Sequence, residues 1–114
     1  MSKKNSISIG DRIIDLDKEG YLHKLDDWTE KVANMLAKQE GIDLQQTHWD
    51  VIHLLRSFYR QHQVSPANRA LVNLVKRELG PEKGKSAYLM GLFGGSPAKI
   101  CSKIAGLPKP DNCL

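Results

Sequence analysis

From residue 41 onward, glycine and proline punctuate this chain, and the stretches between them carry apolar residues at helical spacing. The stops are Gly41, Ser65-Pro66, Gly80-Pro81, Gly94-Gly95, Ser96-Pro97 and Gly106. Proline cannot continue a helix from within, and glycine suits the left-handed position after a helix end. The chain is thereby restricted to a set of short helices packed on each other. With 114 residues, 40% of them apolar, it fits one globular domain with one modest core.

The helices can be placed residue by residue. Asp27-Trp28-Thr29-Glu30 reads as a capping box with Asp27 as the cap. Trp28, Val32, Met35 and Leu36 follow at helical spacing, and Gly41 stops the helix. A second helix runs from near Asp43 to about Gln61, with Trp49, Ile52, Leu55, Phe58 and Tyr59 on one face. It is the longest element and the expected core helix. Ser65-Pro66 predicts a cap with proline at the first helical position, opening a third helix that ends at Gly80-Pro81. Ser86 opens a short fourth helix, broken by Gly94-Gly95. Ser96-Pro97 repeats the cap-plus-proline start for a last helix, roughly Pro97 to Ala105.

Ahead of the helices the pattern changes period. Ser6-Ile7-Ser8-Ile9 alternates polar and apolar, Gly10-Asp11 makes a turn, and Arg12-Ile13-Ile14-Asp15-Leu16 returns. Tyr21-Leu22 adds a short extended piece. The expected fold class is α+β and mostly helical: an N-terminal β-hairpin, about five helices and an extended C-terminal arm. The expected division is a single domain over 1–106 and a mobile arm over 107–114.

No apolar run is long enough to span a bilayer, and the basic, polar start lacks the apolar stretch of a signal peptide. A cytoplasmic protein with no membrane contact is therefore expected. The net charge of +4 fits a solvated lysine-rich surface, or attraction to an acidic partner or RNA. The chain has two cysteines, too few and too far apart for a structural zinc site. His23, His48, His53 and His62 have no tight ligand spacing and read as surface or boundary residues. No metal and no cofactor are expected. Gly84-Lys85-Ser86 resembles the end of a phosphate loop, but Leu79 stands where the first glycine belongs. The second and third helices form a candidate helix-turn-helix, with Arg69, Asn73, Lys76 and Arg77 on the exposed face. An ordinary packed pair with a basic solvated face explains the same pattern.

The C-terminus carries the chemistry. Cys113 is penultimate, a position that contributes little to a core. Ahead of it, Gly106 reads as a hinge, and Pro108 and Pro110 favour an extended arm through Leu107 and Lys109. Eight residues at ~3.3 Å each span ~26 Å. The terminal carboxylate and Asp111 disfavour the thiolate, whereas Lys103 and Lys109 favour it, so a thiol not strongly activated in the free protein is expected. Cys101 is either a small apolar filler or a second thiol able to pair with Cys113.

Taken together, Pro97-Ala98-Lys99, Ile104-Ala105-Gly106-Leu107-Pro108-Lys109-Pro110 and Cys113 resemble the TusE/DsrC family of sulfur-relay proteins. Supporting segments are Glu19-Gly20-Tyr21-Leu22, His48-Trp49-Asp50, Phe58-Tyr59, Ser65-Pro66-Ala67, Glu82-Lys83-Gly84 and Tyr88-Leu89. The resemblance implies a sulfurtransferase without a cofactor, in which Cys113 carries sulfane sulfur as a persulfide. In the TusE branch it implies a TusBCD-like donor acting through TusD. The acceptor there is an MnmA-like tRNA thiouridylase that makes 2-thiouridine at the wobble position, with indirect contact with tRNA. In the DsrC branch it implies a dithiol protein acting with sulfite reductase. The branch-defining second cysteine falls on Ser102 here, one residue from Cys101, and one residue along a helix is a rotation of about 100°. That favours the TusE-like branch. Gly94-Gly95 departs from the proline-containing loop usual in the family.

Overall fold

A computed structural model describes residues 5–111. Strands β1 (Asn5–Ile9) and β2 (Arg12–Leu16) form an antiparallel hairpin. Gly10 turns it with φ 58, a conformation glycine adopts without steric cost. Ile7 faces Ile14 across the pair and both are buried, which fixes the register. An isolated bridge between Leu16 and Leu22 adds the short extended piece.

Five helices follow: α1 (Glu30–Gln39), α2 (Gln46–His62), α3 (Asn68–Leu79), α4 (Ser86–Phe93) and α5 (Pro97–Ile104). The predicted stops hold. Gly41 takes φ 74 after α1, where its N–H bonds to Lys38 O and the Ile42 N–H to Ala37 O, a complete Schellman closure. Gly84 is packed on the backbone of α3: a Cβ there would lie 2.6 Å from Lys76 N. Close packing of backbone on backbone, not phosphate binding, accounts for that glycine.

Three caps differ from expectation, each for a tertiary reason. Asp27 belongs to a 3₁₀ turn, Leu25–Asp27, and the cap of α1 is Thr29, whose Oγ1 accepts from Val32 N–H at 3.2 Å. Trp28 thus lies ahead of the helix. Ser65 does not cap α3, which starts after Ala67; its hydroxyl points elsewhere. Ser96 makes no side-chain cap either, although Pro97 is at the first position of α5. The acceptor for Ala98 N–H comes instead from Asn68 Oδ1 on α3, at 2.9 Å.

His48, expected at the surface or the boundary, differs as well. It is buried, with Nδ1 accepting from the Gln45 N–H at 3.0 Å and Nε2 3.0 Å from Leu92 O. The neutral Nε2–H tautomer satisfies both bonds and ties the start of α2 to the end of α4.

The centre of the fold is α5, not the long α2. It packs against α1, α2, α3 and α4. Its Ala98, Cys101, Ser102 and Ile104 are completely buried. Small side chains let four neighbours approach one short helix, a property that apolar periodicity alone does not register.

Candidate functional site

The candidate site is the end of α5 and the chain that leaves it. Ala105 is followed by Gly106 with φ 72. The Gly106 N–H bonds to Lys103 O at 3.1 Å and the Leu107 N–H to Ser102 O at 2.9 Å. This is a second Schellman closure, with the C-terminal carbonyls of α5 satisfied and Leu107 turned into the core at 3% exposure. Gly106 is a fixed corner: besides its positive φ, a Cβ there would lie 2.7 Å from Trp28 Cγ.

Donors from separate parts of the chain converge on the carbonyls of this corner. Trp28 Nε1 donates to Ile104 O at 2.8 Å. An Arg56 guanidinium nitrogen on α2 donates to Ala105 O at 2.7 Å, with the guanidinium carbon 3.8 Å from the Trp28 ring centroid. Ser65 Oγ donates to Pro108 O at 2.6 Å. At the start of α5, Tyr21 Oη donates to Lys99 O at 3.0 Å. The turn after β2 contributes a further contact, because Asp17 Oδ1 accepts from the N–H groups of Glu19 and Tyr21, each at 2.9 Å. That turn sets Glu19 against Lys109, with Nζ 2.8 Å from Oε2. Pro110 is fully buried.

Leu107 to Pro110, expected as the first half of a mobile arm, are therefore seated on the domain in this structure. Cys113 lies outside the described residues. Asp111 is the last described position and is exposed.

Burial depresses the basicity of Arg56, and the neighbouring Arg60 acts in the same direction. No carboxylate pairs with Arg56 among the described residues. Its charge is held by a carbonyl and an aromatic face, an arrangement suited to a planar guanidinium.

Cys101 is free and completely buried, and burial pushes its thiol far up from the ordinary range. It is a neutral filler of the small-residue face of α5. Ser102 beside it is also buried, and its hydroxyl has no hydrogen-bond partner among the described residues.

Arg69, Asn73, Lys76 and Arg77 are exposed on α3. Helices α2 and α3 each lean on α5 more than on one another, unlike a compact helix-turn-helix. Among the described residues no cluster of His, Cys, Asp or Glu could hold a metal ion. No described helix is long and apolar enough to cross a membrane.

Sequence reasoning missed Trp28, Arg56 and Ser65 as tail-holding residues. Trp28 and Ser65 had local readings as core and cap, and Arg56 carried no motif of its own.

A family model described as "DsrC like protein" matches residues 8–114. The chain is 50% identical over 103 residues to sulfurtransferase TusE of Yersinia pseudotuberculosis serotype I (strain IP32953), covering 90% of this chain and 95% of that one. It superimposes on the NMR structure of Allochromatium vinosum DsrC with TM-score 0.89 and 43% identity, covering 98% of this chain and 100% of that one. The oxidized gamma-subunit of the dissimilatory sulfite reductase (DsrC) from Archaeoglobus fulgidus matches with TM-score 0.84 and 35% identity, over 96% and 100% of the two chains.

Proposed function

This chain belongs to the family of DsrC-like proteins as a sulfur-relay protein with a sulfurtransferase role, and on that premise we propose that Cys113 carries the sulfur. The Cys113 thiolate attacks the terminal sulfur of a donor persulfide. A new S–S bond forms on Cys113, the donor's S–S bond breaks, and the donor leaves as a thiolate. In the second transfer an acceptor thiolate attacks the terminal sulfur and Cys113 departs as the thiolate. Both steps are nucleophilic displacements at sulfur, with no net oxidant or reductant.

The observation that carries this reading is the convergence of Trp28, Arg56, Ser65 and Glu19 on the chain just before the cysteine. Such an investment in the root of a tail suits a protein whose work is presentation. The other cysteine supports a single-thiol carrier over a dithiol subunit, since the Cys101 sulfur is buried and held neutral. The proposed donor is a TusBCD-like complex acting through TusD. The proposed acceptor is an MnmA-like tRNA thiouridylase forming 2-thiouridine, with tRNA touched only indirectly. All of this is proposed for the cytoplasm.

Intact mass under non-reducing conditions tests the reading. Wild type and Cys101→Ser incubated with a persulfide donor gain one sulfur atom that reductant removes, and Cys113→Ser gains none. Uptake that also requires Cys101 transfers the protein to the dithiol reading.

A further inference from the structure

A groove of about 360 Å³ opens between the end of α2, the α2–α3 loop and the seated tail. Phe58 and Tyr59 form one side, Val64 and Ala70 another, and Pro108 and Asp111 the third. Its volume is near the lower end for binding pockets, ~300–1,000 Å³, a size for side chains more than for a cofactor.

The α2–α3 loop gives this groove an apolar face, with Lys109 and Asp111 at its tail side. Gln63 ends α2 with φ 55, a left-handed conformation that a non-glycine residue seldom takes. Its side-chain amide holds the turn by donating to Tyr59 O at 3.3 Å and Arg60 O at 3.4 Å. The turn leaves Val64 outward, 54% exposed, while the next residue, Ser65, points inward to Pro108 O. Gln63 thus turns the chain so that the Val64 side chain lies at the mouth of the groove, beside Ala70.

Chain length ties the groove to the sulfur. Asp111 lines the groove and Cys113 follows it by two residues in sequence, a length of chain that reaches about 7 Å at most. With the tail seated through Pro110, a protein that brings its own cysteine to Cys113 works within two residues of this opening. We propose that the groove is the docking site of the sulfur-donating protein and receives an apolar side chain flanking that protein's reactive cysteine. The proposal rests on Cys113 as the carrier.

Val64→Glu and Ala70→Glu place a charge in the groove at exposed positions, and unchanged thermal melts confirm that the fold survives. Each variant is loaded on Cys113 from two sources, glutathione persulfide and the persulfidated TusBCD-like complex. The expected result is a KM for the complex raised about tenfold or more, with unchanged loading by glutathione persulfide. A wild-type KM for the complex in both variants overturns the docking site while leaving the carrier intact. A wild type that takes no sulfur from glutathione persulfide sinks the carrier reading and the docking site with it. A third outcome also overturns the proposal: if deleting Leu114 alone shifts the amide signals of Val64 and Ala70 in the isolated protein, the chain's own end fills the groove.

Discussion

Gly106 lies directly beneath the indole of Trp28, with room for a hydrogen but not for a methyl group: a Cβ would lie 2.7 Å from Trp28 Cγ and 2.8 Å from Trp28 Cβ. The same indole donates to Ile104 O and carries the Arg56 guanidinium on its ring. Three constraints therefore meet at the point where the last helix becomes the tail. Gly106→Ala must adopt a left-handed backbone at φ 72 and also displace the ring. The two costs together are about 2–5 kcal/mol. Urea unfolding followed by tryptophan fluorescence measures this, and a loss under about 1 kcal/mol would mean that the corner relaxes freely.

Arg56 is the second support of that corner. Arg56→Ala removes a hydrogen bond to Ala105 O and a stacking contact, and should cost about 1–3 kcal/mol. Arg56→Lys keeps the charge but not the plane, and should recover less than half of the loss. Equal stability of the lysine variant and wild type in chemical denaturation would show that only charge matters there.

The positions legible from sequence were those whose signal is local. Gly41, Gly80 and Gly94 end helices by their own backbone conformation, and the Ile7 and Ile14 pairing follows from strand alternation. Gly106 ends α5 as expected, but as a wedge-free corner under Trp28 in place of a hinge. What stayed hidden depends on partners far along the chain. Ser65 and Ser96 both precede proline and look like caps, yet Ser65 serves residue 108 and the α5 cap comes from Asn68. A serine before a proline looks the same in either role until the tertiary neighbours are placed. The centrality of α5 was hidden for a related reason: it rests on small residues such as Ala98 and Cys101, which a search for large apolar faces passes over.

The Glu19–Lys109 pair joins residues with side chains 56% and 39% exposed, so its own contribution to stability is small, about 0–1 kcal/mol and screened by salt. Its effect should appear in the tail. Glu19→Gln combined with Ser65→Ala removes the Ser65 bond to Pro108 O and the Glu19 charge opposite Lys109. Hydrogen exchange at the Leu107 amide, which bonds to Ser102 O, should then accelerate while the amides within α5 remain protected. Unchanged exchange there would show that the tail is held without these two ties.

Cys101 gives a pH prediction with a definite sign. Burial raises its thiol in the folded protein above the unfolded value of about 8.5. The folded state therefore binds more protons than the unfolded state at alkaline pH. The associated stability is complete below about pH 8.5 and falls as pH rises above it, with a limiting slope of about 1.4 kcal/mol per unit. Cys101→Ala should lack this component of the alkaline fall, although its starting stability is lower because of the cavity. In native protein near neutral pH, iodoacetamide should modify Cys113 and leave Cys101 untouched, with the second label taken up only in denaturant. Two labels on the native protein, or an alkaline slope unchanged by Cys101→Ala, would show that the sulfur on α5 reaches solvent and would reopen the dithiol reading.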